Sequence, residues 1–258
     1  MNMIVAIIQA RTNSTRLPNK ILKKTNHKTI LEHLVERIRH SKKIDRIIVA
    51  TTVNKHDDII VDLCKKNNIE IIRGSEEDVL GRYYQASNFA KADIVVRLTS
   101  DNPLLDHRIV DHAIEIFLEK KCDFVSNYSL DHTTYPHGFA VEVMSAKALE
   151  EANNEAKKPS DREHVVFFIK NQPNRFKIFQ FDSESDFSDI RVTLDYQEDL
   201  EVISTIFNEL YPKNPDFKMM DVILWLEKNP KIKKINSKIK PYLNILKSFE
   251  DDKKQGFM

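Results

Sequence analysis

The chain has 258 residues, with 40 Lys and Arg against 39 Asp and Glu, so its formal net charge is +1. A balance this close to neutral excludes a histone-like or polybasic nucleic-acid binder, and we expect no nucleic-acid partner. The chain has only 4 glycines. They are too few and too scattered for a GxGxxG fingerprint or a Walker loop, so any phosphate site must depend on side chains.

The composition also bears on location. No apolar run approaches the roughly 18 residues needed to cross a bilayer, so membrane insertion is not expected. Residues 1–9 lack a basic leader and a small-residue cleavage site, and they predict a strand rather than a signal peptide. Cys64 and Cys122 lie in apolar contexts and predict buried thiols in a reducing compartment. We therefore expect a cytoplasmic protein.

In the first half, short apolar runs alternate with amphipathic segments. Strands are predicted at residues 4–8, 47–50, 69–72 and 94–98. Helices are predicted over residues 29–40, 55–66, 76–91 and 107–120, the first with a capping box of Thr29 and Glu32 and the second burying Ile59, Ile60, Leu63 and Cys64. This alternation indicates right-handed βαβ units. The predicted fold class is therefore α/β, with a mainly parallel central sheet and helices on both faces.

The second half breaks this rhythm. Residues 123–145 contain short extended pieces, and Ser160 with Glu163 predicts a capping box for a helix that ends near residue 170. Strands are predicted at residues 176–181 and 190–194, followed by a helix over 198–210. The last forty residues are Lys-rich with helical apolar spacing. They predict an accessory helical segment, whose tail after Pro230 is expected to be a solvated face.

The loop after the first strand concentrates positive charge. The first 31 residues contain no Asp or Glu, but they contain six cations: Arg11, Arg16, Lys20, Lys23, Lys24 and Lys28. In open α/β sheets, ligands bind beyond the carboxyl ends of the strands. Arg, Lys and hydroxyl side chains at that edge suit a polyphosphate. The alternative is an ordinary solvated basic loop.

Two aspartates follow predicted strands. Asp101 comes directly after the fourth strand, and Asp195 lies between the strand at 190–194 and a helix. Two carboxylates on one sheet edge, facing a basic loop, can hold one Mg²⁺ ion against phosphate oxygens. Taken singly, Asp101 also fits an Asx turn and Asp195 a helix N-cap, and both alternatives remain open.

Two further regions are candidates for binding. Residues 72–82 follow the third strand and can read a base, but they also fit a helix start capped by Ser75 and Asp78. Residues 135–143 and 161–165 suit an acceptor pocket, in which Arg162 and His164 can hold an anionic group. Each histidine is equally well explained as a hydrogen-bonded structural residue. No HExxH or GxSxG motif is present, so a covalent hydrolase is disfavoured.

These segments together resemble a known family. Residues 6–20 are similar to the nucleotide-binding signature of the cytidylyltransferases that make CMP-activated sugar acids, the CMP-KDO and CMP-sialate synthetases. The resemblance is closer to the spore-coat polysaccharide SpsF group. It extends in order through residues 73–80, 97–104, 138–143 and 162–165, and it covers about residues 3–200.

The resemblance implies a Rossmann-like nucleotide-diphospho-sugar transferase fold, CTP as donor and Mg²⁺ as cofactor. It assigns the nucleotide to Ala10, Arg11, Ser14, Thr15, Arg16, Lys20, Arg73, Gly74, Asp78 and Ser100. Arg11, Arg16, Lys20 and Asp101 are the expected catalytic residues, and Asp101 and Asp195 the expected metal ligands. The acceptor, a small anionic molecule such as a sugar acid, is assigned to His137, Glu142, Arg162 and His164.

The predicted organisation is a nucleotidyltransferase domain over residues 1–212, with an acceptor and dimerisation subregion at 123–181, and a C-terminal helical extension over 213–258. A homodimer is expected, because relatives build dimer contacts in that subregion. The expected activity transfers CMP from CTP to the acceptor and releases pyrophosphate, in surface polysaccharide or glycoconjugate biosynthesis. Two alternatives remain: a glycosyltransferase that uses a nucleotide sugar, and a non-catalytic nucleotide-binding protein of such a pathway.

Overall fold

The structure, a computed structural model, describes residues 2–240 and 242–257. Nine strands are present in this part of the chain: β1 Ile4–Gln9, β2 Lys24–Thr25, β3 Lys28–Thr29, β4 Arg46–Thr52, β5 Glu70–Gly74, β6 Ile94–Thr99, β7 Phe124–Ser126, β8 Glu142–Ser145 and β9 Ile178–Gln180. The α-helices are α1 Ile30–Ile38, α2 Asp58–Lys66, α3 Val79–Ala90, α4 His107–Lys120, α5 Ala146–Glu155, α6 Pro159–His164, α7 Phe167–Lys170, α8 Gln197–Leu210, α9 Met219–Lys228, α10 Pro230–Lys233 and α11 Leu243–Lys254. Short 3₁₀ turns lie at Lys20–Leu22 and Lys55–Asp57.

Seven strands form one sheet in the order β5-β4-β1-β6-β8-β7-β9. The neighbours from β5 to β6 are parallel, β8 is antiparallel to both β6 and β7, and β9 is parallel to β7. Only β8 therefore runs against the others, which confirms the mainly parallel sheet. The carboxyl ends of β1, β4 and β6 lie side by side, because Gln9 is in register with Ala50 and Thr99.

Hydrophobic cores lie on both faces of the sheet. Successive side chains of a strand point to opposite faces, and in β1 the residues Ala6 and Ile8 enter one core while Val5 and Ile7 enter the other. Helices α1, α2, α4, α8 and α9 pack on the first face, and α3, α5, α7 and α11 on the second. The predicted α/β architecture with helices on both faces is confirmed.

The first half of the chain follows the sequence prediction closely. Helix α1 begins with the predicted capping box, in which the Glu32 amide donates to Thr29 Oγ1 at 3.2 Å and the Thr29 amide donates to Glu32 Oε2 at 2.7 Å. Cys64 and Cys122 are buried free thiols, as predicted. One inward position is wrong: Ile59 is 54% exposed, because α2 buries Ile60 and Cys64, one helical turn apart, and these define a different face.

Two predictions in the second half are wrong. Ser160 lies inside α6 instead of capping it, because its hydroxyl and amide both donate to the buried carboxylate of Asp252. Val165 then adopts a φ of 69°, which ends α6 and separates it from α7. Residues 190–194 form no strand but an extended segment with one isolated bridge, between His137 and Arg191. They bond to loop backbone and do not join the sheet.

The segment after residue 212 is helical but not uniformly solvated. Helix α9 buries Val222, Ile223 and Leu226 in the first core, and α11 packs Phe249 against the second. Met258, the predicted end of the helical extension, lies outside the described residues. Of the helices in residues 2–240 and 242–257, none has the length and apolar character required to cross a membrane.

Candidate active site

The cation-rich loop between β1 and β2 is fastened to the neighbouring strand β4. The amide and hydroxyl of Thr12 donate to Asp57 Oδ1 at 2.8 and 2.6 Å, and Thr52 Oγ1 donates to the other oxygen of the same carboxylate. Asp57 is fully buried. The loop also closes on itself, since the Asn19 amide donates to the Thr12 carbonyl at 3.0 Å. One buried carboxylate therefore sets the position of the loop.

Two aspartates that are 94 positions apart, since 195 − 101 = 94, meet around one ammonium group. Lys20 Nζ lies 3.0 Å from Asp101 Oδ2 and 3.0 Å from Asp195 Oδ1. The two carboxylate oxygens are therefore no more than twice 3.0 Å apart. The Leu194 amide donates to the Asp101 carbonyl at 2.8 Å, which brings the two segments together.

Asp195 is also paired with a second cation. Arg16 Nη2 lies 2.5 Å from Asp195 Oδ1, and the Arg16 guanidinium lies 5.2 Å from the centre of the Tyr196 ring. Burial opposes ionisation of Asp195, but Lys20 and Arg16 outweigh it and hold the pKa of that carboxyl well below its usual range. Burial likewise favours a neutral Lys20, yet the two aspartates raise its pKa above the ordinary value. Asp195 and Lys20 are therefore both charged at neutral pH.

This donor set fits a hard divalent cation that is shared with a phosphate. No group of three or more His, Cys, Asp or Glu side chains suited to a metal ion occurs in the described part of the chain. Mg²⁺, however, is commonly bound through one or two carboxylates, with phosphate oxygens and water completing its shell. Asp101 and Asp195 converge on one cation position and meet that requirement.

A hydrogen-bond network around a buried aspartate holds the extended segment that carries Asp195. Arg191 donates to both oxygens of the fully buried Asp199 at 2.8 Å, and the Asn236 amide group donates to Asp199 Oδ1 at 2.8 Å. The Asp195 amide donates to Asp199 Oδ2 at 2.9 Å. This network fixes the backbone at Asp195, so the carboxylate is positioned before any ligand binds.

Gly138 permits a close approach on the opposite side of this segment. Its φ is +126°, and a Cβ atom there would lie 2.7 Å from the Val192 carbonyl carbon. Both the positive φ and this short distance exclude a side chain at position 138. The neighbouring His137 accepts from the Val192 amide at 2.7 Å and donates its own amide to the Ile190 carbonyl at 2.8 Å. His137 thereby lies beside Arg191. Burial, followed by that positive charge, lowers the pKa of His137 to about 4.

A buried ion pair includes Glu142, a residue predicted for the acceptor. Arg97 Nη1 donates to Glu142 Oε2, and Lys170 Nζ lies 3.9 Å from Glu142 Oε1. Glu142 is 2% exposed, and within the described residues Oε1 has no hydrogen-bond donor. A buried carboxylate oxygen without a donor is an unusual arrangement, and it suits a hydroxyl or amino group of a bound molecule.

Arg162, which is predicted for the acceptor, contacts Asp78, which is predicted for the nucleotide. Its Nε and Nη2 atoms donate to the two oxygens of Asp78 at 2.9 and 2.5 Å. Asp78 in turn caps α3 by accepting from the Gly81 amide at 2.9 Å. The predicted capping role of Asp78 is therefore present, and Arg162 is occupied by a carboxylate of the protein. His164 Nε2 lies 2.8 Å from Ser248 Oγ on α11.

One open cavity of about 920 Å³ brings most of the predicted residues together. The predicted residues that line it are Ala10, Arg11, Ser14, Thr15, Arg16, Lys20, Asp78, Ser100, Asp101, His137, Glu142, Arg162, His164 and Asp195. The cavity lies at the carboxyl ends of β1 and β6, the edge predicted for ligand binding. Their contacts with a substrate remain a prediction.

The structure does not bring Arg73 and Gly74 to this cavity. The Arg73 guanidinium donates to the carbonyls of Thr52 and Asn54 at 2.8 and 2.9 Å and pairs with Asp58 at 2.7 Å. These contacts brace the loop after β4. Residues 75–79, which directly follow β5, do line the cavity.

Several lining residues lie outside the sequence prediction. Arg97, Tyr128 and Arg191 line the cavity, and so do residues of the C-terminal segment: Lys240, Tyr242, Leu243 and Ile245. The expectation that the tail is only a solvated face is therefore wrong. Arg97 lies within residues 97–104, which carry part of the family resemblance. Its position on a predicted buried strand could have marked it as a candidate site residue. Nothing in the spacing of the tail pointed to the site.

Comparison with known proteins identifies the family. A cytidylyltransferase family model matches residues 5–235. An uncharacterized protein of Methanocaldococcus jannaschii is 41% identical over 92% of this chain and 96% of its own length. The spore coat polysaccharide biosynthesis protein SpsF of Bacillus subtilis is 33% identical over 89% of this chain and 96% of its length.

Solved structures agree. A cytidylyltransferase from Leptospira borgpetersenii superposes with a TM-score of 0.85 and 33% identity, covering 91% of this chain and 98% of that one. A CMP:2-keto-3-deoxy-manno-octonic acid synthetase complexed with CTP shares the fold, with a TM-score of 0.60 and 16% identity over 81% of this chain and 99% of that chain. These similarities confirm the resemblance to the SpsF and CMP-KDO synthetase groups. The chain belongs to the cytidylyltransferase family, the nucleotidyltransferases that use CTP.

Proposed function

We propose that this protein transfers CMP from CTP to an acidic sugar or a related anionic acceptor, with release of pyrophosphate, and that Mg²⁺ is its cofactor. The observation that carries the proposal is the convergence of Asp101 and Asp195 on Lys20 at the mouth of the cation-rich loop. Two similar proteins support the acceptor and the pathway: one is a synthetase for an acidic sugar, the other a polysaccharide biosynthesis protein. We place this chain in a surface polysaccharide or glycoconjugate pathway.

In the proposed reaction an acceptor oxygen attacks the α-phosphorus of CTP, a new P–O bond forms, and the bond to the bridging oxygen of pyrophosphate breaks. The acceptor proton passes to solvent. Arg11, Arg16 and Lys20 would bind the phosphates and offset the negative charge that builds on the leaving pyrophosphate. Mg²⁺ held by Asp101 and Asp195 would polarise the phosphate oxygens. Positioning and electrostatics supply the catalysis, so no covalent nucleophile is required.

The first test is a pyrophosphate-release screen of the four nucleoside triphosphates with Mg²⁺, against acidic sugars and a neutral sugar as control. We expect pyrophosphate release only when CTP and an acidic sugar are both present. A preference for ATP or UTP would contradict the donor. A nucleoside diphosphate or monophosphate as product would indicate the glycosyltransferase alternative. A thermal shift with CTP in the absence of turnover would indicate a non-catalytic binder.

The second test addresses the two carboxylates. Asp101→Asn and Asp195→Asn should each lower Mg²⁺-dependent pyrophosphate release at least about 10²-fold, since each removes a charge at the reacting phosphates. Asp62→Asn is the matched control, because Asp62 is exposed on α2 and away from the cavity. Circular dichroism should show all three variants folded. Turnover near the wild-type value in either site variant would remove that aspartate from the mechanism.

Two further expectations belong to the proposal. A homodimer through residues 123–181 is expected from the resemblance, and sedimentation velocity would measure it directly. A cytoplasmic location follows from the proposed substrate, since CTP is a metabolite of that compartment, and cell fractionation would test it.

A further inference from the structure

The C-terminal helix reaches the candidate active site from outside the region matched by the family model. That match ends at residue 235, and α11 begins at Leu243. Tyr242, Leu243 and Ile245 nevertheless line the same cavity as Asp101 and Asp195. A wall of the site is therefore built from a segment that the family match does not include.

Tyr242 completes a stack of aromatic rings. Its ring lies 5.2 Å from the ring of His137 at an interplanar angle of 25°, and 6.0 Å from the ring of Tyr128 at 18°. We call these three residues the aromatic platform. Tyr242 has a φ of +61°, a left-handed conformation that a bulky residue adopts only at a cost. The surrounding structure holds the ring in place in spite of that cost.

The aromatic platform lies next to the proposed reaction centre. Arg191 Nη1 is 3.5 Å from His137 Nδ1, and Arg191 Nη2 is 3.4 Å from Asp195 Oδ2. One side chain therefore separates the platform from a proposed metal ligand. Lys170 Nζ lies 4.5 Å from the centre of the Tyr128 ring and 3.9 Å from Glu142 Oε1, so the platform also adjoins a residue predicted for the acceptor. The platform is thus on the acceptor side.

Helix α11 is fastened to an element that lines the site. The fully buried Asp252 accepts from the Ser160 amide at 3.1 Å and from the Ser160 hydroxyl. Phe249 packs on Phe167 with ring centres 5.2 Å apart. These contacts hold α11 against α6 and α7, so the position of Tyr242 is set by packing.

We propose that α11 and Tyr242 form an acceptor-recognition wall, and that the aromatic platform binds the carbon face of the acceptor's sugar ring. Aromatic faces bind apolar ring surfaces, and pockets for small molecules combine such faces with a few polar anchors. The Glu142 oxygen that has no donor in the described residues is such an anchor, suited to an acceptor hydroxyl. This inference rests on the proposed function, because it names the subsite of the same reaction.

The variants are Tyr242→Ala, which removes the ring, and Tyr242→Phe, which keeps it. Leu246→Ala is the matched control, because Leu246 lies on the same helix, is 53% exposed and does not line the cavity. Asp252→Ala removes the hydrogen bonds from Ser160 that hold α11, and Asp252 is not part of the aromatic platform. The thermal midpoint of each variant is measured first, and binding is measured at a temperature at which all of them are folded.

Binding is measured separately for the two substrates. CTP affinity is measured by calorimetry with Mg²⁺. Acceptor binding is measured by saturation-transfer NMR with 3-deoxy-manno-octulosonate, N-acetylneuraminate and glucuronate as probes, with the KM of any probe that is turned over. We expect Tyr242→Ala and Asp252→Ala to weaken sugar binding about tenfold while CTP affinity stays within about twofold. Tyr242→Phe, which keeps the ring, should retain most of the sugar binding that Tyr242→Ala loses, and Leu246→Ala should match the wild type.

Each other outcome is decisive. Loss of CTP affinity in Tyr242→Ala would show that the platform stacks on the nucleobase and would overturn the acceptor wall. Unchanged sugar binding in that variant would also overturn it. Failure of all three sugars to bind a wild type that binds CTP would count against a sugar-binding platform. If the wild type does not bind CTP at all, the proposed function fails instead, and the two failures are therefore distinguishable.

Discussion

Asp57 offers a direct test of how the cation-rich loop is positioned. In Asp57→Ala, the Thr12 amide, the Thr12 hydroxyl and the Thr52 hydroxyl all lose their acceptor. The hydroxyls can turn toward other oxygens, since Thr12 Oγ1 already lies 3.5 Å from the His56 carbonyl, but the amide cannot. At least one buried donor is left without a partner.

The expected loss of stability can be estimated from that one unpaired donor. A buried donor without an acceptor costs about 1–3 kcal/mol. Adding the packing lost with the carboxylate, we expect Asp57→Ala to lower the free energy of unfolding by about 2–5 kcal/mol. The loop that carries Arg16 and Lys20 should then lose its fixed position, and CTP affinity should fall by about tenfold or more.

Two variants make the test specific. Asp57→Asn keeps the size of the side chain and one oxygen for the Thr12 amide, so it should cost only about 1 kcal/mol. Asp58→Ala is the control, because Asp58 is an exposed neighbour whose ion pair with Arg73 should be worth about 0–1 kcal/mol. Urea unfolding and calorimetry with CTP measure both quantities. An Asp57→Ala variant with wild-type stability, or one that binds CTP normally, would refute the reasoning.

Three other predictions follow from the buried charges and thiols. Lys20→Ala should destabilise the protein at neutral pH, because it removes a cation that pairs with ionised Asp195. Since the pKa of Asp195 is lowered in the folded protein, that stabilisation is lost as the pH falls below the unfolded-state pKa of about 4, and the difference from wild type should shrink there. Urea unfolding at neutral pH and below about pH 4 measures this difference. Glu142→Gln should lower the free energy of unfolding by about 3 kcal/mol in the same assay, because it leaves a buried guanidinium without its counter-charge. Burial raises the pKa of Cys64 to about 12 and also raises that of Cys122, so neither thiol should react with a thiol reagent in the folded protein, and both should react in urea.

The sheet and the loop could be predicted because their signals are local. An apolar run such as Ile4–Ile8 is typical of a strand buried on both faces, and the cations that follow it must lie at its carboxyl end. Side-chain partners are not local. The Arg73 guanidinium is held by the carbonyls of Thr52 and Asn54, so it does not line the cavity, although residues 75–79 do. A sequence pattern does not report such contacts.

The C-terminal wall could not be predicted for a related reason. Tyr242 reaches the site because α11 packs on α6 and α7, and one of the contacts that hold it joins Asp252 to Ser160, 92 positions away along the chain. Lys-rich helical spacing describes a helix with a polar face equally well whether that helix packs on the site or lies in solvent. Asp199 is a second example. It accepts hydrogen bonds from Arg191, from Asn236 and from the amides of Asp195 and Tyr196, and no sequence pattern indicates that these groups meet.

The arrangement of charge at the centre explains how a protein with a net charge of +1 can carry a site for a triphosphate. Arg16 and Lys20 are paired with Asp101 and Asp195, and these carboxylates offset the repulsion between the two cations. Under the proposed function, a divalent ion and a triphosphate offer these four side chains new partners of opposite charge. Asp101 and Asp195 would hold the metal, which would supply positive charge to the phosphates, and Arg16 and Lys20 would pair with phosphate oxygens. Because each exchange requires the other, the preformed ion pairs favour joint binding of metal and nucleotide over binding of either alone.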